Sequence, residues 1–173
     1  LEDIKAPECF YIEKRLREEM NIPVMHDDQH GTAIISSAAL LNALELQKKK
    51  IEKTKFVVNG AGAAAMACIK LYVALGARYE NFILFDKDGV LHTERTDLGE
   101  DRKPFAIKQS NMTLEQAMKS ADVFLGLSVG NVVSKEMIAS MPKNPIVFAL
   151  ANPDPEISYE DATSVRKDII MAT

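Results

Sequence analysis

Four short runs of apolar residues punctuate the chain from residue 55 onward: Lys55 to Asn59, Asn81 to Asp86, Asp122 to Leu127 and Ile146 to Leu150. Each is apolar at consecutive positions, the mark of strands covered on both faces. Between them, the alanine-rich stretch Ala63 to Leu75 and the segment Thr113 to Met118 read as helices, the second capped by the Thr113 hydroxyl. Strands alternating with helices predict an α/β fold built on a doubly wound, mostly parallel sheet. Upstream, Phe10, Ile12, Leu16 and Met20 fall largely at helical spacing and predict an amphipathic helix from Pro7 to Met20. Pro23 makes Asn21 to Met25 a break and a short extended piece. His26 to Gly31 reads as a polar loop, and Thr32 to Gln47 as a mostly buried helix with Thr32 as its cap and lysines at its end. The charged, weakly periodic stretch from Lys87 to Ser110 reads as a crossover loop holding a short element.

The composition narrows the function. At 173 residues, 47% hydrophobic and 27% charged, the chain suits one ordinary globular domain rather than a disordered one. A net charge of −4 argues against a generic nucleic-acid binder. Its longest apolar stretches, such as Ala33 to Leu41, fall well short of the roughly 20 residues a bilayer requires, so no membrane segment is expected. Cys9 and Cys68 lie far apart without CxxC spacing, which supports neither a disulfide framework nor a cysteine zinc site and favours a reducing, cytoplasmic setting. The chain opens on Leu1 and ends at Met171-Ala172-Thr173, and it reads as a piece of something longer.

Gly60-Ala61-Gly62-Ala63-Ala64-Ala65 matches G-x-G-x-x-A directly between a predicted strand and a predicted helix. The first glycine permits a tight turn and the second leaves room for a pyrophosphate, which would face the free amides at the helix start around Ala63 and Ala64. Asp86, about 20 residues further on at the end of the next strand, stands where an acid accepts from a ribose 2′-hydroxyl. Its carboxylate would repel a 2′-phosphate and so favours an unphosphorylated ribose; Lys87, Arg95, Arg102 and Lys103 follow and could reverse that by partnering a phosphate, or be solvated loop charges, so NAD and NADP both stay open, with a lean to NADP. The expected unit is a Rossmann-type NAD(P)-binding domain spanning residues 1–173.

His26-Asp27-Asp28-Gln29-His30 packs two acids and two imidazoles into five positions. Read as a zincin helix it fits poorly, because Asp27 is shorter than the required Glu and Pro23 and Gly31 favour a loop. The acids could simply cap the helix that follows. Alternatively, carboxylates here hold a hard divalent cation, Mg²⁺ or Mn²⁺, with Glu2-Asp3 as a second acidic pair. Asn152, in Ala151-Asn152-Pro153, lies just past the fourth strand, at the sheet edge where such folds bind ligands, although a turn Asn before Pro is equally common.

Four segments taken together and in order resemble the malic enzymes, particularly the bacterial type: Glu2-Asp3-Ile4-Lys5-Ala6-Pro7, His26 through Ala33, Asn59 through Ala64, and Phe148 through Pro153. The H-D-D-Q-H-G-T-A block is highly specific, and the likeness runs essentially end to end. The resemblance implies oxidation of malate at C2 by NAD(P)⁺ and decarboxylation to pyruvate, with Mg²⁺ or Mn²⁺. It implies Glu2, Asp3 and Asp28 as metal ligands, so that residues 1–33 contribute to the metal site. It also implies Asp27 as an acid that positions the family's catalytic lysine, Gly60, Gly62, Ala63, Ala64, Thr32, Asp86 and Lys87 as cofactor residues, and Asn152 as a contact to both substrate and nicotinamide. The family's general-base lysine and general-acid tyrosine precede the metal acids, and a further substrate asparagine lies beyond Thr173, so the isolated chain is expected to be inactive. The full protein is expected to be a homo-oligomer that binds a small molecule, with no nucleic-acid or membrane partner. Two alternatives stay open: a metal-free dehydrogenase of another hydroxy or amino acid, and a nucleotide-binding regulatory module.

Overall fold

The computed structural model describes residues 1–173 as a six-stranded sheet flanked by helices. In chain order the elements are α1 (Glu8–Glu19), α2 (Asp27–Leu46), β1 (Phe56–Asn59), α3 (Ala63–Ala74), β2 (Phe82–Asp86), β3 (Gly89–Val90), α4 (Leu114–Met118), β4 (Val123–Gly126), α5 (Lys135–Ser140), β5 (Ile146–Ala149), α6 (Tyr159–Val165) and β6 (Ile170–Ala172). The sheet order is β3-β2-β1-β4-β5-β6, with every neighbouring pair parallel except β2 and β3. The four predicted strands are therefore present and central, and the doubly wound class holds.

Consecutive apolar residues feed opposite faces. Phe56 and Val58 of β1 join a large core beneath α2 and α3, whereas Val57 joins a second core on the other face, against α4, α5 and α6. In the larger core the Phe56 and Phe82 rings stack with centroids 4.6 Å apart, an inter-strand aromatic contact that pins β1 to β2 in register. Thr113 caps α4 in a full capping box with Gln116, as its sequence predicts.

Three short elements escape the sequence pattern. α5 and α6 are only six and seven residues long, yet each begins at a serine, Ser134 or Ser158, whose hydroxyl accepts from a backbone amide in the first turn. β6 pairs with β5 in parallel, and its entrance is held by Asp168, which accepts from Asn144 N at 2.8 Å and from the Arg166 guanidinium at 2.7 and 2.8 Å.

The largest departure concerns His26 to Gly31, which is the first turn of α2 rather than a loop. His26, not Thr32, is the N-cap. The reason is long-range. Glu13 of α1, almost fully buried, accepts from His26 N at 3.1 Å and from His30 Nε2 at 3.1 Å, satisfying an amide at the helix entrance. Asp27 N donates to Leu1 O at 2.8 Å, and the carboxylates of Asp27 and Asp28 sit favourably in the first turn. Burial works against ionised Glu13, but its hydrogen bonds from His30 and the His26 amide outweigh that cost and hold its carboxyl below the usual range. Its stabilisation is therefore full above the ordinary glutamate value of about 4.3 and is lost as pH falls through the lower folded value. Glu13→Gln is expected to lower stability by about 1 kcal/mol at neutral pH. The gap from wild type in thermal denaturation should close as the buffer is acidified below the ordinary glutamate range.

Candidate cofactor cleft and acidic cluster

β1 is the point where the sheet order reverses, with β2 on one side and β4 on the other. Its carboxyl end opens into a cleft of about 710 Å³, whose lining includes Gly60, Gly62, Asp86, Lys87, Arg102 and Ser128. Ligands of open α/β sheets bind at such a reversal. Gly60 has φ +100°, and a Cβ there would lie 2.3 Å from the Leu127 carbonyl oxygen, so only glycine lets β1 turn against β4. Gly62 differs: it is the N-cap of α3, and a Cβ there would meet nothing within 4 Å. Its bareness leaves open space in front of the helix amides of Ala63 and its successors. Ala63 itself faces the α2–α3 groove, a smaller hollow of about 380 Å³.

Asp86 ends β2 and faces the cleft, but its carboxylate is already engaged. Arg95, with its side chain only 8% exposed, donates from both terminal nitrogens at 2.8 Å, and Asp88 N donates at 2.9 Å. Burial opposes the charge on Asp86, but the Arg95 hydrogen bonds and the Asp88 amide prevail, and its carboxyl sits below the usual range. The same guanidinium grips Asp97, holding it at about 2. Asp86, Asp88 and Asp97 form the only trio of potential ligand side chains whose donor atoms lie within 4.8 Å of one another. Arg95 is paired with all three acids, which makes the trio an ion-pair cluster. Lys87 points to solvent and pairs with Asp88 at 2.8 Å.

The second group gathers at the N-terminus of α2. Leu1 N donates to Met25 O at 2.7 Å, and Asp3 N donates to Asp28 Oδ2 at 3.0 Å. These bonds bring Glu2 and Asp3 beside Asp28, although the three carboxylates do not converge into a closed cage. His26 is 1% exposed; Gln29 holds its Nδ1, and its Nε2 lies 3.1 Å from Asp28 Oδ2 without hydrogen-bond geometry, leaving that nitrogen unsatisfied. Glu2 and Asp3 are exposed, and neither carboxylate has a partner within the chain. Three oxygen-donor acids, two of them uncommitted, fit a hard divalent cation in chemistry.

Two expected cofactor or substrate residues lie elsewhere. Thr32 lines a separate hollow of about 370 Å³ together with Asp27, Gly31, Phe148 and Leu150. It is one turn into α2, which carries it away from the glycine turn. Asp27 folds back over Gly31, where a Cβ would lie 2.2 Å from Asp27 Oδ1. Asn152 follows β5 and is exposed at the carboxyl edge, outside the lining of the main cleft. Conversely, Ser128, Val129 and Leu114 line that cleft without having drawn attention in the sequence. Their one signal was position: Ser128 and Val129 immediately follow a buried strand, where ligand loops sit.

Sheet order, glycine turn and cleft define the class: a Rossmann-type dinucleotide-binding domain. The model of the family described as malic enzyme, NAD binding domain, matches residues 29–173, and the chain belongs to the malic enzyme family. It is 54% identical, over its whole length, to a NADP-dependent malic enzyme of Halomonas elongata, of which it covers 41%. It is 52% identical to a NAD-dependent malic enzyme of Rhizobium meliloti, covering 23% of that protein. The crystal structure of a NAD-dependent malic enzyme from Thermotoga maritima superimposes on 99% of this chain with a TM-score of 0.88 and 45% identity; the match spans 47% of that structure. The chain thus spans less than half the length of these relatives.

The two glycines should separate cleanly in thermal denaturation. Gly60→Ala combines a backbone clash with a strained φ and is expected to cost about 1–3 kcal/mol or more. Gly62→Ala should leave the melting temperature within experimental error of wild type.

Proposed function

We propose that residues 1–173 form the NAD(P)-binding domain of an enzyme that oxidises malate and decarboxylates the product to pyruvate, with residues 1–33 contributing the donors for a divalent metal. The observation that carries this reading is the glycine turn at the order reversal, opening on one cleft with Asp86, in a chain of the malic enzyme family. Both the NADP-dependent and the NAD-dependent relatives named above support a nicotinamide dinucleotide as oxidant.

In this reading the turn at Gly60 and Gly62 receives the pyrophosphate against the α3 amides. Asp86, Lys87 and Arg102 meet the adenosine ribose, and Asn152 approaches nicotinamide and substrate from the end of β5. Glu2, Asp3 and Asp28 would hold Mg²⁺ or Mn²⁺, which when bound supplies Lewis-acid stabilisation of negative charge on substrate oxygen. Asp27 orients a proton-transfer group contributed from elsewhere in the longer protein. Asp28 is tied to Asp3 by the hydrogen bond it accepts from the Asp3 amide, and the buried His26 imidazole lies 3.1 Å from the same carboxylate oxygen.

Asp28→Ala in the full-length enzyme is expected to lower the rate of malate-dependent cofactor reduction by about a hundredfold or more, without rescue by excess Mn²⁺. Normal turnover in that variant would sink the metal assignment, and full activity in chelator would favour a metal-free dehydrogenase. The 173-residue chain alone should show no turnover in the same assay.

The Arg95 clamp favours NADP⁺. A free carboxylate at Asp86 would repel a 2′-phosphate, and the bidentate guanidinium, although shared with Asp97, offsets part of that repulsion. Arg102 adds a positive charge in the same cleft. Arg95→Ala should therefore shift the ratio of kcat/KM for NADP⁺ over NAD⁺ toward NAD⁺ by about tenfold, read by steady-state kinetics with each cofactor.

A further inference from the structure

Glu156 is wholly buried, at 0% exposure, and no lysine, arginine or histidine pairs with it. Its carboxylate is held by neutral donors alone. Oε1 accepts from Ser128 N and from Ser128 Oγ, each at 2.9 Å, and Oε2 accepts from Ala151 N at 3.1 Å. Ser128 Oγ in turn accepts from Asn59 Nδ2 at 2.8 Å. One carboxylate therefore joins the carboxyl ends of three strands: β1 through Asn59, β4 through Ser128 and β5 through Ala151. The fold makes room for it, since a Cβ on Gly126 would lie 2.3 Å from the Glu156 carboxyl carbon. Burying an anion without a cation costs free energy that apolar packing would avoid. What it provides is a set of directed acceptors that hold three loops in one arrangement.

We propose that Glu156 is a positioning residue for the nicotinamide half of the cofactor: it locks the loop after β4 to the loop after β5, and so fixes Ser128 in the cleft lining and Asn152, next to Ala151, on the carboxyl edge beside it. The inference rests on the reading of the cleft as a dinucleotide site. With the pyrophosphate at the glycine turn and the adenosine ribose at Asp86 on β2, the other half of a dinucleotide crosses the order reversal and lies over β4 and β5. That is the side Glu156 organises. The adenosine side, built on β2 and Arg95, has no contact with it.

The test is Glu156→Gln in the full-length enzyme, which preserves volume but turns one acceptor into a donor facing a buried N–H. Expected is a fall in kcat of about ten- to a hundredfold, with weakened NADH or NADPH binding. Affinity for ADP-ribose or its 2′-phosphate, which lack nicotinamide, should stay within about twofold of wild type. A folded variant with unchanged kcat, or equal weakening of the dinucleotide and of ADP-ribose, would overturn the proposal. If Glu156→Gln does not fold, Ser128→Ala removes only the hydroxyl link and should show the same split at smaller amplitude; failure to show it is equally decisive against. Should the wild-type enzyme fail to oxidise malate, the functional reading falls, while the comparison of dinucleotide with ADP-ribose binding still decides the role of Glu156. Wild-type protein that bound neither ligand would overturn both.

Discussion

Strand β1 is hydrogen-bonded along both edges, in register with β2 on one side and β4 on the other, and its three apolar residues are buried to 1% or less. A strand so fixed has no freedom to shift, and its last residue must leave the sheet where the crossovers on either side diverge. The resulting gap at the carboxyl edge is a consequence of the parallel winding. Gly60 converts the gap into a binding surface, because its φ of +100° and its contact with the Leu127 carbonyl let the chain turn into α3 without closing the cleft. Helix and strand then face each other across open space, with backbone donors on one wall and the ends of β2 and β4 on the others.

Charge is distributed unevenly around that space. On the β2 side, three acids share one guanidinium, that of Arg95, which couples Asp86 to Asp88 and Asp97. On the β4–β5 side there is one buried anion, Glu156, with neutral donors around it. At the start of α2, by contrast, Glu2 and Asp3 are uncompensated and open to solvent. In the proposed reading the three arrangements suit different partners: a ribose that carries or lacks phosphate, a nicotinamide ring that is cationic when oxidised and must be held in one place, and a hard cation. The whole chain's acidic balance would not have told them apart.

Most of the sheet was legible because burial on both faces leaves its imprint on consecutive residues, as in Phe56-Val57-Val58 and Ile146-Val147-Phe148. The glycine turn was legible for the same reason that it works, since few other residues tolerate that backbone. The start of α2 was not, because the nearby Pro23 and Gly31 argue locally for a loop while Glu13, more than a dozen residues upstream, supplies the acceptor that makes a helix. Thr32 looked like a cap on local grounds and became an interior residue on tertiary ones. The candidate site was half legible in the same sense. Asp86 could be placed from spacing, but its bond to Arg95 closes across a loop with no helical or strand period to announce it.

Glu156 marks the limit of pattern reading more sharply. In Asn152-Pro153-Asp154-Pro155-Glu156 it looks like one more acid in a polar turn, and nothing in its neighbours says that it is the buried one. Its role appears only when Asn59, Ser128 and Ala151, from three separate crossovers, are brought to a common point. That convergence is itself a product of parallel winding, since parallel strands deliver all their carboxyl ends to the same edge. The same topology that opens the cleft thus also crowds three loops behind it, and a crowd of backbone amides without cations is stabilised by a shared acceptor. A carboxylate with two oxygens and about four lone-pair directions can serve three donors at once, which no neutral side chain of that size does.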